Sequence, residues 1–177
     1  MKITVHNRQT RRRPNVRKLA ALARFFMLQA VHPECVWDAV AVVLTDDAEI
    51  APVNRVFLDH ACATDVITFT LPSMPGGGAG ISGEIHINVE RAIGEGARRG
   101  GATDELALYL AHGCDHLTGA NDRTVRERRR MRRRELLWIR RARQAGLMKG
   151  LWAEKKNPKN LPANHAQGTQ KPINSLH

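Results

Sequence analysis

Leu106, Leu110, Ala111, Cys114 and Leu117 recur at helical spacing, and the stripe they form is too broad for a helix covered on one side only. A central, well-buried helix of this kind needs neighbours on several sides, and the flanking segments supply them. Residues 2–6 alternate as a short strand. Pro14 suits the first turn of a helix, and Val16, Leu19, Leu22, Ala23, Phe26, Met27 and Ala30 continue it. Residues 36–44 are short and β-branched, which predicts a mostly buried strand. Asp46 with Glu49 resembles a capping box and opens a helix with Ile50, Val53 and Phe57 on one face. Thr64–Phe69 and Gly83–Asn88 read as strands, with a Gly- and Pro-rich loop, Leu71–Gly80, between them. Residues 89–99 read as helix, ended by Gly100 and Gly101. Thr103 is the expected cap of the central helix, with Asp104 and Glu105 beside its positive end. Gly119 ends that helix, and a last one is expected over 122–144.

The order β-α-β-α-β-β-α-α-α predicts an α+β domain, a small mixed sheet of about four strands packed with about five helices, with the candidate site on the central helix. Residues 1–148 are expected to form this one domain. Over 149–177 periodicity gives way to Lys, Asn, Pro and Gln, as in a disordered basic tail.

Charge narrows the classes of partner. Lys and Arg number 28 against 17 acids, a net charge of +11 over 177 residues. Such a field attracts polyanions: RNA, DNA or a ribosome-sized partner. Ten arginines between 126 and 143 crowd the last helix, with Met131, Trp138 and Ala142 on its packing side. Like charges one turn apart destabilise a helix unless an anion is near, so the run favours phosphate contact over a merely solvated face. No window has the apolar length of a membrane span, and residues 1–14 lack the apolar core of a signal peptide. Cys35, Cys62 and Cys114 are far apart and odd in number, which argues against a disulfide framework. The expected compartment is a reducing cytoplasm.

Chemistry concentrates between His112 and Asp122. His112 and His116 are four apart, which places both imidazoles on one helix face. Gly119 allows a sharp turn that returns Asp122 to the pair. Two imidazoles and a carboxylate hold one metal ion and leave a position open for water. Position 113 is Gly, so the Glu that serves as general base in zinc metalloproteases is absent. The Leu71–Gly80 loop has no Gly-Lys-Ser/Thr and is not a phosphate-binding P-loop. Cys114 points inward with the core, while His86 and His60 read as ordinary packing or surface residues.

The pattern His112-Gly-x-x-His116-Leu-x-Gly119-x-x-Asp122 resembles the YbeY family. Further motifs follow the same order: Asn54 with Phe57, the strand Thr64–Phe69, the run Gly83-Glu84-Ile85, and Met131 with Glu135. The resemblance covers about residues 36–138. It implies a cytoplasmic, single-strand-specific metallo-endoribonuclease that matures the 3′ end of 16S ribosomal RNA. It further implies one zinc ion per chain on His112, His116 and position 122, and partners that are single-stranded RNA and the small ribosomal subunit, with neither DNA nor membrane. The family's third ligand is usually His, and Asp122 makes the metal a weaker Lewis acid and its identity less fixed. The Arg that the family places after its Tyr/Phe is Leu58 here; Arg55, one turn earlier, or His60 stands as its replacement. Asp115 is read as orienting a ligand ring or acting as base, or else as a solvated carboxylate near the helix end. The rival functions are a ribosome- or RNA-binding factor with a structural metal, and another zinc metallohydrolase such as a peptidase.

Overall fold

The computed structural model describes residues 1–30, 36–72 and 80–153. Four strands and five helices follow in the order β1 (Lys2–Asn7), α1 (Val16–Ala30), β2 (Trp37–Thr45), α2 (Asp47–Leu58), β3 (Val66–Leu71), β4 (Ile81–Asn88), α3 (Val89–Arg99), α4 (Ala102–Leu117) and α5 (Val125–Gln144). The sheet order is β1-β2-β4-β3. β1, β2 and β4 run parallel, and β3 closes one edge antiparallel to β4. This is the mixed-sheet α+β domain expected from the sequence. No helix among the described residues is long and apolar enough to cross a membrane.

The strands at the centre of the sheet are the most apolar. Val40, Val42 and Leu44 of β2 and Ile85 and Ile87 of β4 are buried, and Leu19, Leu22, Phe26 and Met27 of α1 pack against them. α4 is the hub: it touches α1, α3, α5, β3 and β4. Its close seat on the sheet depends on Gly113, where a Cβ would run into Ile85 Cγ2. The fold therefore has no room at position 113 for the base a zinc protease carries there.

Local chemistry fixes the helix ends. Asp46 accepts a hydrogen bond from Glu49 N to start α2, and Asn88 accepts one from Arg91 N to start α3. Thr124 and Glu127 form a reciprocal capping box at α5, so that helix begins at Val125 and Asp122 stays in the preceding loop. α4 begins one residue after Gly101 and has no side-chain cap. Thr103, the expected cap, lies inside the helix, where its Oγ1 accepts a hydrogen bond from Trp152 Nε1 at 3.1 Å.

That contact also corrects the expected domain boundary. Leu151 and Trp152 are buried. Asn15 N donates to Leu151 O at 2.7 Å and Ala153 N to Arg13 O at 2.9 Å, and the Arg12 guanidinium lies over the Trp152 ring at 4.7 Å. The packed domain thus reaches at least Ala153. The rest of the expected tail, 154–177, lies outside the described residues, as do Cys35 and most of the Leu71–Gly80 loop. α2 departs from expectation too. Ile50 is buried, but Phe57 is 63 % exposed and touches Phe69 of β3 edge-on.

Candidate metal centre

Successive turns of α4 aim His112 and His116 the same way. Their Nε2 atoms face each other at 2.9 Å. Gly119, at φ +85°, occupies a backbone region L side chains avoid, and it turns the chain so that the loop returns. Asp122 Oδ2 then lies 4.0 Å from His112 Nε2. One donor atom from each of His112, His116 and Asp122 falls within 4.8 Å of the others. The three residues read from the sequence are thus brought together as a possible metal site.

The other ring nitrogens are committed. His116 Nδ1–H donates to Ala120 O at 2.9 Å. His112 Nδ1–H donates to Glu135 Oε1 at 2.6 Å. In this tautomer each Nε2 presents a lone pair. Two acceptors at that separation repel unless a shared proton or a metal ion lies between them. Burial pushes His112 toward its neutral form, but the hydrogen bond and charge of Glu135, with Asp122 and Asp65, outweigh it and raise the pKa above the usual histidine value. The cluster is built to attract positive charge.

Glu135 is 2 % exposed on a helix otherwise crowded with arginine. The sequence matched it to a family position without giving it a task. The structure makes it the carboxylate that orients the His112 imidazole. Glu135→Ala is expected to weaken zinc binding by about 10- to 100-fold, and Glu135→Gln, which still accepts a hydrogen bond, by less. Competition with a chromophoric chelator measures this; equal affinity in all three proteins would remove Glu135 from the site.

Two residues read as catalytic stand elsewhere. Asp115 is 2 % exposed and is neither solvated nor directed at the ligand trio. Both its oxygens accept from Arg134, with Nη2 at 2.8 Å from each and Nε at 3.2 Å from Oδ2. Burial raises its pKa against the opposing pull of Arg134. Asp115 ties α4 to α5. Arg55 and His60 are exposed and line neither cavity at the site. Asn54, from the same motif, is buried and donates to Cys62 O at 2.7 Å, which anchors the loop after α2.

The cations of the site come from other helices. A cavity of about 430 Å³ runs beside the trio, with His112, Asp122 and Glu135 in its wall. Arg91 and Arg99 of α3 and Arg128 and Arg132 of α5 also line it. Sequence reading saw the arginine run of α5 but not the contribution of α3, which is settled by how α3 packs on α4. A second cavity of about 660 Å³ opens between β3 and the ligand loop and shares His112 and Asp122 with the first.

Comparison with known proteins places this arrangement. The family model described as Endoribonuclease YbeY matches residues 4–142. An endoribonuclease YbeY of Rhodopirellula baltica is 36% identical over 118 residues, which is 65% of this chain and 59% of that protein. One from Cytophaga hutchinsonii is 39% identical over 95 residues, 52% of this chain and 64% of that protein. The chain thus spans about three fifths of the length of these two relatives. The solution structure of TM1509 from Thermotoga maritima superimposes with a TM-score of 0.52 at 21% identity, over 82% of this chain and 91% of that one, and supports the fold.

Proposed function

The chain belongs to the YbeY endoribonuclease family, and from that premise we propose that it is a metal-dependent endoribonuclease that cuts single-stranded RNA. The observation that carries this reading is the pair of opposed Nε2 lone pairs beside Asp122, next to an arginine-lined cavity. Zinc is the proposed ion, one per chain, and the donor set fits it: two neutral imidazoles and one carboxylate, with a fourth position left open. When bound there, the ion supplies positive charge at the scissile phosphate and at the oxygen that attacks it.

The chain's own residues supply the rest. Glu135 and the Ala120 carbonyl hold the two imidazoles in the binding tautomer. Arg91, Arg99, Arg128 and Arg132 receive phosphates of the strand and offset the charge that builds up at phosphorus. Backbone contact of this kind carries no sequence information, and its affinity falls with salt. Selection of the 3′ end of 16S ribosomal RNA then comes from docking on the small ribosomal subunit in the cytoplasm.

Chelation tests the reading. The zinc-loaded protein should cut a labelled single strand, spare the same sequence as a duplex, stop when the metal is removed and resume when zinc is restored. A preparation with one zinc per chain that leaves single-stranded RNA intact would overturn it.

A further inference from the structure

Four phenylalanines, three tryptophans and one tyrosine are the aromatic side chains of this protein. Phe26, Trp37, Tyr109, Trp138 and Trp152 are buried, Phe25 and Phe69 are half-buried, and Phe57 is 63 % exposed. A lone exposed apolar residue is ordinary. Phe57 differs in its position, because it lines the cavity of about 660 Å³ that His112, His116 and Asp122 also line. α2 is anchored to the domain by Ile50, which is fully buried, while Phe57 stays largely exposed. Its ring is nonetheless braced. Phe69 of β3 meets it edge-on with centroids 4.9 Å apart at 70°, and Phe69 rests edge-on against His86 of β4 at 5.5 Å.

The two cavities at the metal centre differ in chemistry. The one beside α3 and α5 holds four arginines, whereas the one beside β3 adds Phe57, Phe69, threonines, aliphatic residues, Asp65 and Asn121 to the candidate trio and holds no Lys or Arg. The first suits phosphates. The second suits the planar, uncharged part of a nucleotide. His112 and Asp122 stand in both walls, so a phosphodiester held at the ligand trio has a basic cavity on one side and an aromatic one on the other. Resting on the nuclease reading above, we propose that Phe57 is a stacking platform for one unpaired base of the RNA strand at the metal centre. A base within a duplex is already stacked on both faces and has none to offer. Phe57 therefore gives the site a preference for single strands without a preference for sequence.

The test uses the full, zinc-loaded chain and short fluorescent RNA oligonucleotides, by anisotropy for Kd and by cleavage for KM and kcat. Phe57→Ala should raise Kd and KM on the order of tenfold with a smaller change in kcat. Phe57→Leu, which keeps apolar bulk but cannot stack, should match it, and Phe57→Tyr should stay within about twofold of wild type. A series of oligonucleotides, each lacking one base, should contain a position whose loss weakens the wild type as much as Phe57→Ala does and weakens that variant no further. Wild-type behaviour of Phe57→Ala or Phe57→Leu, or an abasic penalty that persists in Phe57→Ala at every position, would overturn the platform while leaving the nuclease intact. A wild-type protein that neither binds nor cuts RNA would overturn the nuclease reading, and the platform with it.

Discussion

His116→Ala should lower cleavage of single-stranded RNA by about a thousandfold or more in a protein that remains folded. The ion's Lewis-acid charge is worth several kcal/mol to a developing transition state, and about 4 kcal/mol corresponds to roughly a thousandfold in rate. Removing one of three donors leaves a carboxylate and a single imidazole, too few to hold the ion. The cost to folding is small. Among the described residues the His116 side chain makes one hydrogen bond besides its contact with His112, from Nδ1–H to Ala120 O at 2.9 Å. Losing that bond costs about 1 kcal/mol, and deleting one of two opposed Nε2 acceptors relieves a repulsion. The variant and the wild type, both stripped of metal, should therefore melt within a few degrees of each other. The comparison must be metal-free, because any ion that binds only the folded state raises the melting temperature by mass action. A variant that melts far below the stripped wild type would mark His116 as part of a structural centre, the rival that Leu58 in place of the family's Arg keeps open. A variant that still cuts at the wild-type rate would remove His116 from the mechanism.

Where hydrophobic period is long, sequence alone locates the element. The stripe from Val16 to Ala30 falls on α1, although Pro14, expected in its first turn, pairs with Trp152 before the helix begins, and the stripe from Leu106 to Leu117 identifies α4 as the buried centre. Leu151 and Trp152 show the opposite case. Two apolar residues after a glycine have no period to read, and what holds them is a pairing with Arg13–Asn15 at the far end of the chain. Thr103 looks like a cap because its residue type suits one, yet Gly101 precedes the first turn and Thr103 is turned toward Trp152. Local propensity gave way to tertiary contact in both places.

The clustering of His112, His116 and Asp122 was legible because its geometry is local: four residues of helix, a glycine turn, three more residues. Glu135 was not, since an acid among arginines on a helix reads as a solvated ion pair until α5 is laid against α4. The cations followed the same rule. Spacing on α2 pointed to Arg55, but the arginines at the cavity belong to α3 and α5. Asp115 lies between His112 and His116 in sequence, and only the packed structure shows that Arg134, nineteen residues further on, holds its carboxylate.

That capture carries the largest expected effect on stability. Arg134→Ala should destabilise the fold by about 2–3 kcal/mol, roughly 5–10 °C in Tm for a chain of this size. The size follows from asymmetry of burial. Asp115's side chain is 3% exposed and Arg134's is 32% exposed, so removing the cation leaves a buried carboxylate with no countercharge, while removing the acid leaves a guanidinium that water can reach. Losing one partner of a fully buried pair costs about 3–5 kcal/mol, and the partial exposure of Arg134 places this pair below that range. Most of the loss belongs to the stranded charge and not to the missing contact. The double variant Asp115→Asn/Arg134→Ala should therefore be more stable than Arg134→Ala alone, by about half the loss or more. Zinc affinity should change little in either protein, because neither side chain is among the three donors. Chemical denaturation with zinc titration in parallel separates these outcomes. A double variant no more stable than Arg134→Ala would show that the pair acts through packing of the Arg134 side chain over α4, and a large loss of zinc affinity would return Asp115 to the metal centre.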